Sequence, residues 1–157
     1  MKLTLLGTGC PSIDHNRCGS SNLITSKKTK ILVDCGSGVT QRLNQSGNSS
    51  SNIDALLLTH LHSDHVIDLY QLIISSWHSD RDSIWKIYGP KGTKKFIDKI
   101  FLAWRDEREL RVNYEKRKSI NALKYKVYEF NKEGNIKIND IKIKYFEVDH
   151  KPVPFAY

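Results

Sequence analysis

The sequence predicts an α/β (α+β) domain built on a mostly antiparallel, mixed sheet. Three observations carry that expectation. Short apolar runs, Ile31-Leu32-Val33 and Ile53-Asp54-Ala55-Leu56-Leu57-Leu58, have strand length and read as strands buried on both faces. Segments with helical spacing of apolar residues lie between the strands, at Val39 to Gln45, Val66 to Ile74 and Lys94 to Arg111. Toward the C-terminus the pattern becomes alternating, over Leu123 to Phe130 and Ile136 to Val148, the period of half-buried strands.

A chain of 157 residues is long enough for one domain with its own core. Its 39% hydrophobic and 27% charged residues match soluble globular proteins. No apolar run approaches the ~20 residues of a membrane span, and Met1 to Gly7 has too short an apolar core for a secretory signal. The expected compartment is therefore the cytoplasm. The three cysteines, Cys10, Cys18 and Cys35, are odd in number and form no Cys-x-x-Cys pair, which argues for thiols rather than a disulfide framework. A formal net charge of +8 attracts polyanions, RNA included. The abundance of lysine throughout the chain accounts for the same charge without a nucleic-acid partner.

The elements follow in order. Lys2 to Leu6 is a short strand closed by Gly7-Thr8-Gly9, and Cys10 to Ser21 is a polar loop, so a dinucleotide fingerprint is excluded. Arg17 in that loop is either a hold for a substrate anion or an ordinary solvated arginine. Asn22 to Thr25 and Thr29 to Asp34 form a hairpin around Ser26-Lys27-Lys28. Asp34 closes a buried strand, where an unpaired carboxylate is costly. It should accept backbone hydrogen bonds or support a metal ligand. Asp68 is expected on the surface, and His78 is expected to be a helix-end histidine rather than a ligand. Trp85 sits in a strand closed by Gly89-Pro90. Lys94 to Arg111 reads as the longest helix, with Phe96, Ile97, Ile100, Phe101 and Trp104 as its core stripe. The mixed charges from Arg105 to Lys118 read as a solvated face. Asn139-Asp140 marks a hairpin turn.

The densest signal is His60-Leu61-His62-Ser63-Asp64-His65, immediately after the apolar run. His60 and His62 point to one side if strand geometry persists, within reach of one ion. Asp64 and His65 follow where the chain turns, and Asp64 also stands where it can cap the next helix. Imidazole with carboxylate suits zinc, and also iron or manganese.

These residues resemble the His-x-His-x-Asp-His motif of the metallo-β-lactamase superfamily. The Gly7-Thr8-Gly9 turn, Asp34-Cys35-Gly36 and Gly89-Pro90 are similar to its ribonuclease Z-like branch. The sequence departs from that branch at Gly36-Ser37-Gly38-Val39. The resemblance implies an αββα sandwich, with residues 1–157 as a single, C-terminally incomplete domain forming the first half of the four layers. It implies a metal-dependent hydrolase with two zinc ions in the complete domain. His60, His62, Asp64, His65 and His150 would be the ligands, Asp64 would also be catalytic, and Asp34 would lie behind the ligands. RNA, as a tRNA precursor, would be the partner, with a homodimer left open. Small cyclic phosphodiesters or aryl sulfates are alternative substrates, and a half-domain that binds metal or RNA without turnover is the non-enzymatic alternative.

Overall fold

The computed structural model describes residues 1–149 and 154–157. Among these residues the strands are β1 (Lys2–Gly7), β2 (Ser21–Thr25), β3 (Lys30–Val33), β4 (Ala55–Leu57), β5 (Trp85–Pro90), β6 (Tyr125–Phe130), β7 (Gly134–Ile138), β8 (Ile141–Glu147) and β9 (Phe155–Ala156). The helices are α1 (Val39–Gln45), α2 (Ser63–Val66), α3 (Leu69–His78), α4 (Thr93–Ala103) and α5 (Arg105–Glu115).

The first six strands form one mixed sheet in chain order, and β7, β8 and β9 form a second, antiparallel one. The change from antiparallel to parallel pairing falls at β3–β4. The cause is connection length. Ser26 to Thr29 allows only a hairpin between β2 and β3, whereas helices intervene after β3, β4 and β5. A parallel neighbour needs a crossover of that kind.

The strands at the centre separate two apolar layers. Leu32, Leu56, Leu58, Trp85 and Ile87 face Val39, Leu43, Leu69, Leu72, Ile73, Ile97 and Phe101 of the helices. Their alternates, Ile31, Val33, Ala55 and Leu57, face Ile138, Ile141 and Ile143 of the second sheet. The chain is thus layered helix, sheet, sheet. Burial on both faces explains why β3 and β4 lack polar alternation. Each fully buried Leu or Ile contributes roughly 1.5–3 kcal/mol.

Several expectations are corrected. The segment from Thr93 to Glu115 is two helices broken at Trp104, whose φ of −105° and ψ of 21° leave the helical region. The apolar stripe ends there: Ile97 and Phe101 are buried, Trp104 is 49% exposed, and no residue of α5 is buried. Gly89-Pro90 belongs to β5 and not to a turn. The helix after the histidine cluster is likewise two, α2 and α3, because Asp68 leaves helical geometry (ψ 2°). Asp68 is not exposed. It is half-buried, and its carboxylate accepts the backbone N–H of Thr40 at 2.6 Å, satisfying a donor in the first turn of α1. Burial pushes its pKa up, against the opposing pull of that hydrogen bond.

Candidate metal centre

β4 delivers the cluster to the C-terminal edge of the parallel strands, the edge where open α/β sheets bind ligands. Asp34 organises this edge. It leaves β3 in the left-handed region (φ 61°), which Asp tolerates better than most residues. Its backbone is held at both ends: its N–H donates to Leu57 O at 2.8 Å, and its C=O accepts the Ser21 hydroxyl at 2.8 Å. The carboxylate, in a residue 3% exposed, receives Thr59 N–H on Oδ1 at 2.8 Å and lies 2.8 Å from His65 Nδ1 through Oδ2. The Thr59 hydroxyl stands 3.0 and 2.9 Å from its two oxygens.

The expected side chains converge. His60 Nε2 and His62 Nδ1 lie 3.1 Å apart. The His60 and His65 ring centroids are 4.1 Å apart, and His60 and His62 meet edge to face at 4.6 Å. His65 turns Nδ1 to Asp34 and Nε2 toward Asp64 Oδ2, 3.6 Å away. The hydrogen bond to Asp34 raises the His65 pKa above the usual imidazole value, burial opposes it, and the charges of Asp34 and Asp64 add to it. Asp64 lies in the first turn of α2 but makes no side-chain cap; the N-cap position is His62. The expected capping role is therefore withdrawn, and the carboxylate is turned toward His65 instead. His150 lies outside the described residues. Its neighbours are placed: Val148 N–H donates to Pro154 O at 3.2 Å, and Phe155 N–H donates to Thr59 O at 2.9 Å, one residue before His60. His78 is no part of the cluster, since it bonds Ile74 O and Glu115.

Close backbone packing holds the loop in place. Cys35 N–H donates to His65 O at 2.7 Å, Gly36 N–H to Ser20 O at 3.1 Å, and Gly19 N–H to Ser37 O at 2.8 Å. A Cβ on Gly36 would stand 2.2 Å from Asp64 O, so this approach requires glycine. Cys35 is buried, and burial pushes its thiol pKa up, with Asp68 and Asp34 adding to the effect. It packs and does not ligate. Arg17 sits in an exposed loop.

The donor set suits a metal. Two nitrogens bound at ~2.0 Å to a tetrahedral ion lie about 3.3 Å apart, close to the observed His60–His62 separation. Among the described residues no three His, Cys, Asp or Glu side chains already form a site able to hold an ion. Sequence reasoning overlooked Thr59, which touches both Asp34 and His60. Its only signal was its place between the apolar run and the first histidine. Tyr157, whose hydroxyl donates to Leu58 O at 2.8 Å, was also missed.

A β-strand ending in clustered histidines, backed by a buried Asp and layered helix–sheet–sheet, defines a chain of the metallo-β-lactamase fold. The solved structures agree. The short form of human tRNase Z superposes with a TM-score of 0.79 at 23% identity, covering 99% of this chain and 63% of that one. The metallo-β-lactamase fold protein YhfI from Bacillus subtilis gives 0.72 at 21% identity, covering 98% and 55%. Among curated relatives, the ribonuclease Z of Mycobacterium marinum is 34% identical over 158 residues, 98% of this chain and 56% of that protein. The ribonuclease Z of Mycolicibacterium paratuberculosis is 37% identical over 157 residues, 98% and 55%. The chain thus spans about half the length of these relatives. It belongs to the family described as anti-Pycsar protein Apyc1, whose profile matches residues 1–157.

Proposed function

We propose that this chain carries the metal-binding part of a phosphodiester hydrolase, with His60, His62, Asp64, His65 and His150 as ligands. The observation that carries the reading is the facing pair His60 Nε2 and His62 Nδ1 at 3.1 Å, beside an imidazole already oriented by Asp34. A bound zinc, or manganese or iron in its place, supplies a Lewis acid and a water acidified toward neutrality. The protein residues do the rest. Asp34 orients His65 through Nδ1, leaving Nε2 on the side of Asp64. Asp64 accepts a proton from the attacking water and aims it. A second ion, if held, would rest on Asp64 and His65.

The relatives named ribonuclease Z favour RNA, a tRNA precursor, as the substrate, and the net charge of +8 favours any polyanion. A second reading is a hydrolase of small cyclic phosphodiesters or aryl sulfates, and the match of the whole chain to a family not described as ribonuclease Z leaves room for it. The departure at Gly36-Ser37-Gly38 supports it too. No described helix is long and apolar enough to cross a membrane, and we place the protein in the cytoplasm. The test uses Asp64→Ala and the parent on a tRNA precursor and on a chromogenic aryl phosphodiester. Loss of about 100-fold or more in cleavage of the precursor alone supports the ribonuclease reading. The same loss confined to the small diester supports the second. A parent that holds zinc yet cleaves neither supports a binding half-domain.

A further inference from the structure

The Thr59 hydroxyl lies between two groups whose protons matter. It is 2.9 Å from Asp34 Oδ2 and 2.9 Å from His60 Nδ1. A hydroxyl has one hydrogen, and an ionised carboxylate has none to give. The hydrogen of Thr59 therefore goes to Asp34. Its oxygen is left as the acceptor, and the proton in the second bond must come from His60 Nδ1. In the neutral ring that places the lone pair of His60 on Nε2, the nitrogen facing His62. Asp34 acts on His65 in the same sense, but directly, through Nδ1. One buried carboxylate thus sets two imidazoles, the nearer by contact and the farther through a hydroxyl.

We propose that Thr59 is a positioning residue that relays Asp34 to His60 and holds His60 in the Nδ1–H tautomer, ready to ligate through Nε2. The inference rests on the metal-site reading above. The backbone supports a fixed relay. Thr59 N–H bonds Asp34 Oδ1 and Thr59 C=O accepts Phe155 N–H, so the residue is pinned on both sides of its side chain.

Proton counting also says what Asp34→Asn would do. Oδ1 must remain an acceptor for Thr59 N–H, so the new NH2 takes the place of Oδ2. Its two hydrogens then point at His65 Nδ1 and at the Thr59 oxygen. The Thr59 hydroxyl, 3.0 Å from Oδ1, keeps that oxygen as an acceptor and can still take the His60 Nδ1 proton. His65 alone would move to the Nε2–H tautomer, which blocks its ligating nitrogen, while His60 stays paired with the Thr59 oxygen.

The experiment measures 15N shifts of the imidazole nitrogens in the metal-free chain, and zinc affinity by chelator competition, for the parent, Thr59→Val, Thr59→Ala, Thr59→Ser and Asp34→Asn. The parent should show His60 protonated on Nδ1. Thr59→Val should remove that preference at His60 while leaving His65 unchanged, and should weaken zinc binding roughly tenfold. Thr59→Ser should restore both. Asp34→Asn should convert His65 and leave His60, and Thr59→Ala keeps the test alive if Thr59→Val does not fold. A preserved Nδ1–H preference at His60, or unchanged zinc affinity, in Thr59→Val (or in Thr59→Ala where valine does not fold) would each overturn the relay. Tautomers are read without metal, so a parent that binds no zinc would sink the metal-site reading and leave the relay to be judged by its spectra.

Discussion

Two regions of this molecule are held by different physics. At the loop after β4, every partner of Asp34 is buried or half-buried, and the contacts are hydrogen bonds to backbone, hydroxyl and imidazole groups. At the outer arm, α5 buries no residue. It is tied down by charge: Glu115 takes His78 Nε2, Arg111 and Arg117, and Arg111 also pairs with Glu107. Ion pairs in water contribute little, because solvation competes with them. Buried donors and acceptors cost heavily when one partner is lost. The contacts that are costly to lose are thus concentrated where ligands must be aimed, while α5 rests on solvent-accessible ion pairs.

Four substitutions test this contrast, in decreasing order of effect. Asp34→Ala strands Thr59 N–H and His65 Nδ1 and places alanine at φ 61°; urea unfolding should show a loss of about 3–5 kcal/mol. Gly36→Ala sets a methyl against backbone on both sides, Asp64 O and Ser20 N. It should cost roughly 1–3 kcal/mol in the same assay and weaken zinc binding by displacing Asp64. Arg111→Gln on α5 should change stability by less than ~0.5 kcal/mol, and an effect as large as that of Gly36→Ala would erase the distinction between the two regions. The smallest effect concerns pH. Asp98 is held below the usual carboxylate range by Lys94 and by the Tyr125 hydroxyl. A depressed carboxylate stabilises the folded state above its unfolded pKa and loses that contribution as pH falls through its folded pKa. The melting-temperature difference between Asp98→Asn and the parent should therefore be present at neutral pH and vanish in acid.

The same contrast explains what was readable. The strands at 31–33 and 55–57 declared themselves because burial on both faces leaves an unbroken apolar run. The histidine cluster declared itself because four donor-bearing residues in six positions have few other uses. The break at Trp104 was hidden, since the sequence carries helix-forming residues on both sides of it and the break lies in the packing. Asp68 looked like a surface residue because its partner, Thr40, is 28 positions away.

The order of apolar runs, the position of Asp34 at a strand end and the donor types at 60–65 were settled by local composition and period, which depend only on neighbours along the chain. The closeness of Gly36 to Asp64 and the placing of Thr59 between Asp34 and His60 were decided by folding alone. They join residues that are distant in sequence, and proton placement depends on distances of ~3 Å that no linear pattern encodes.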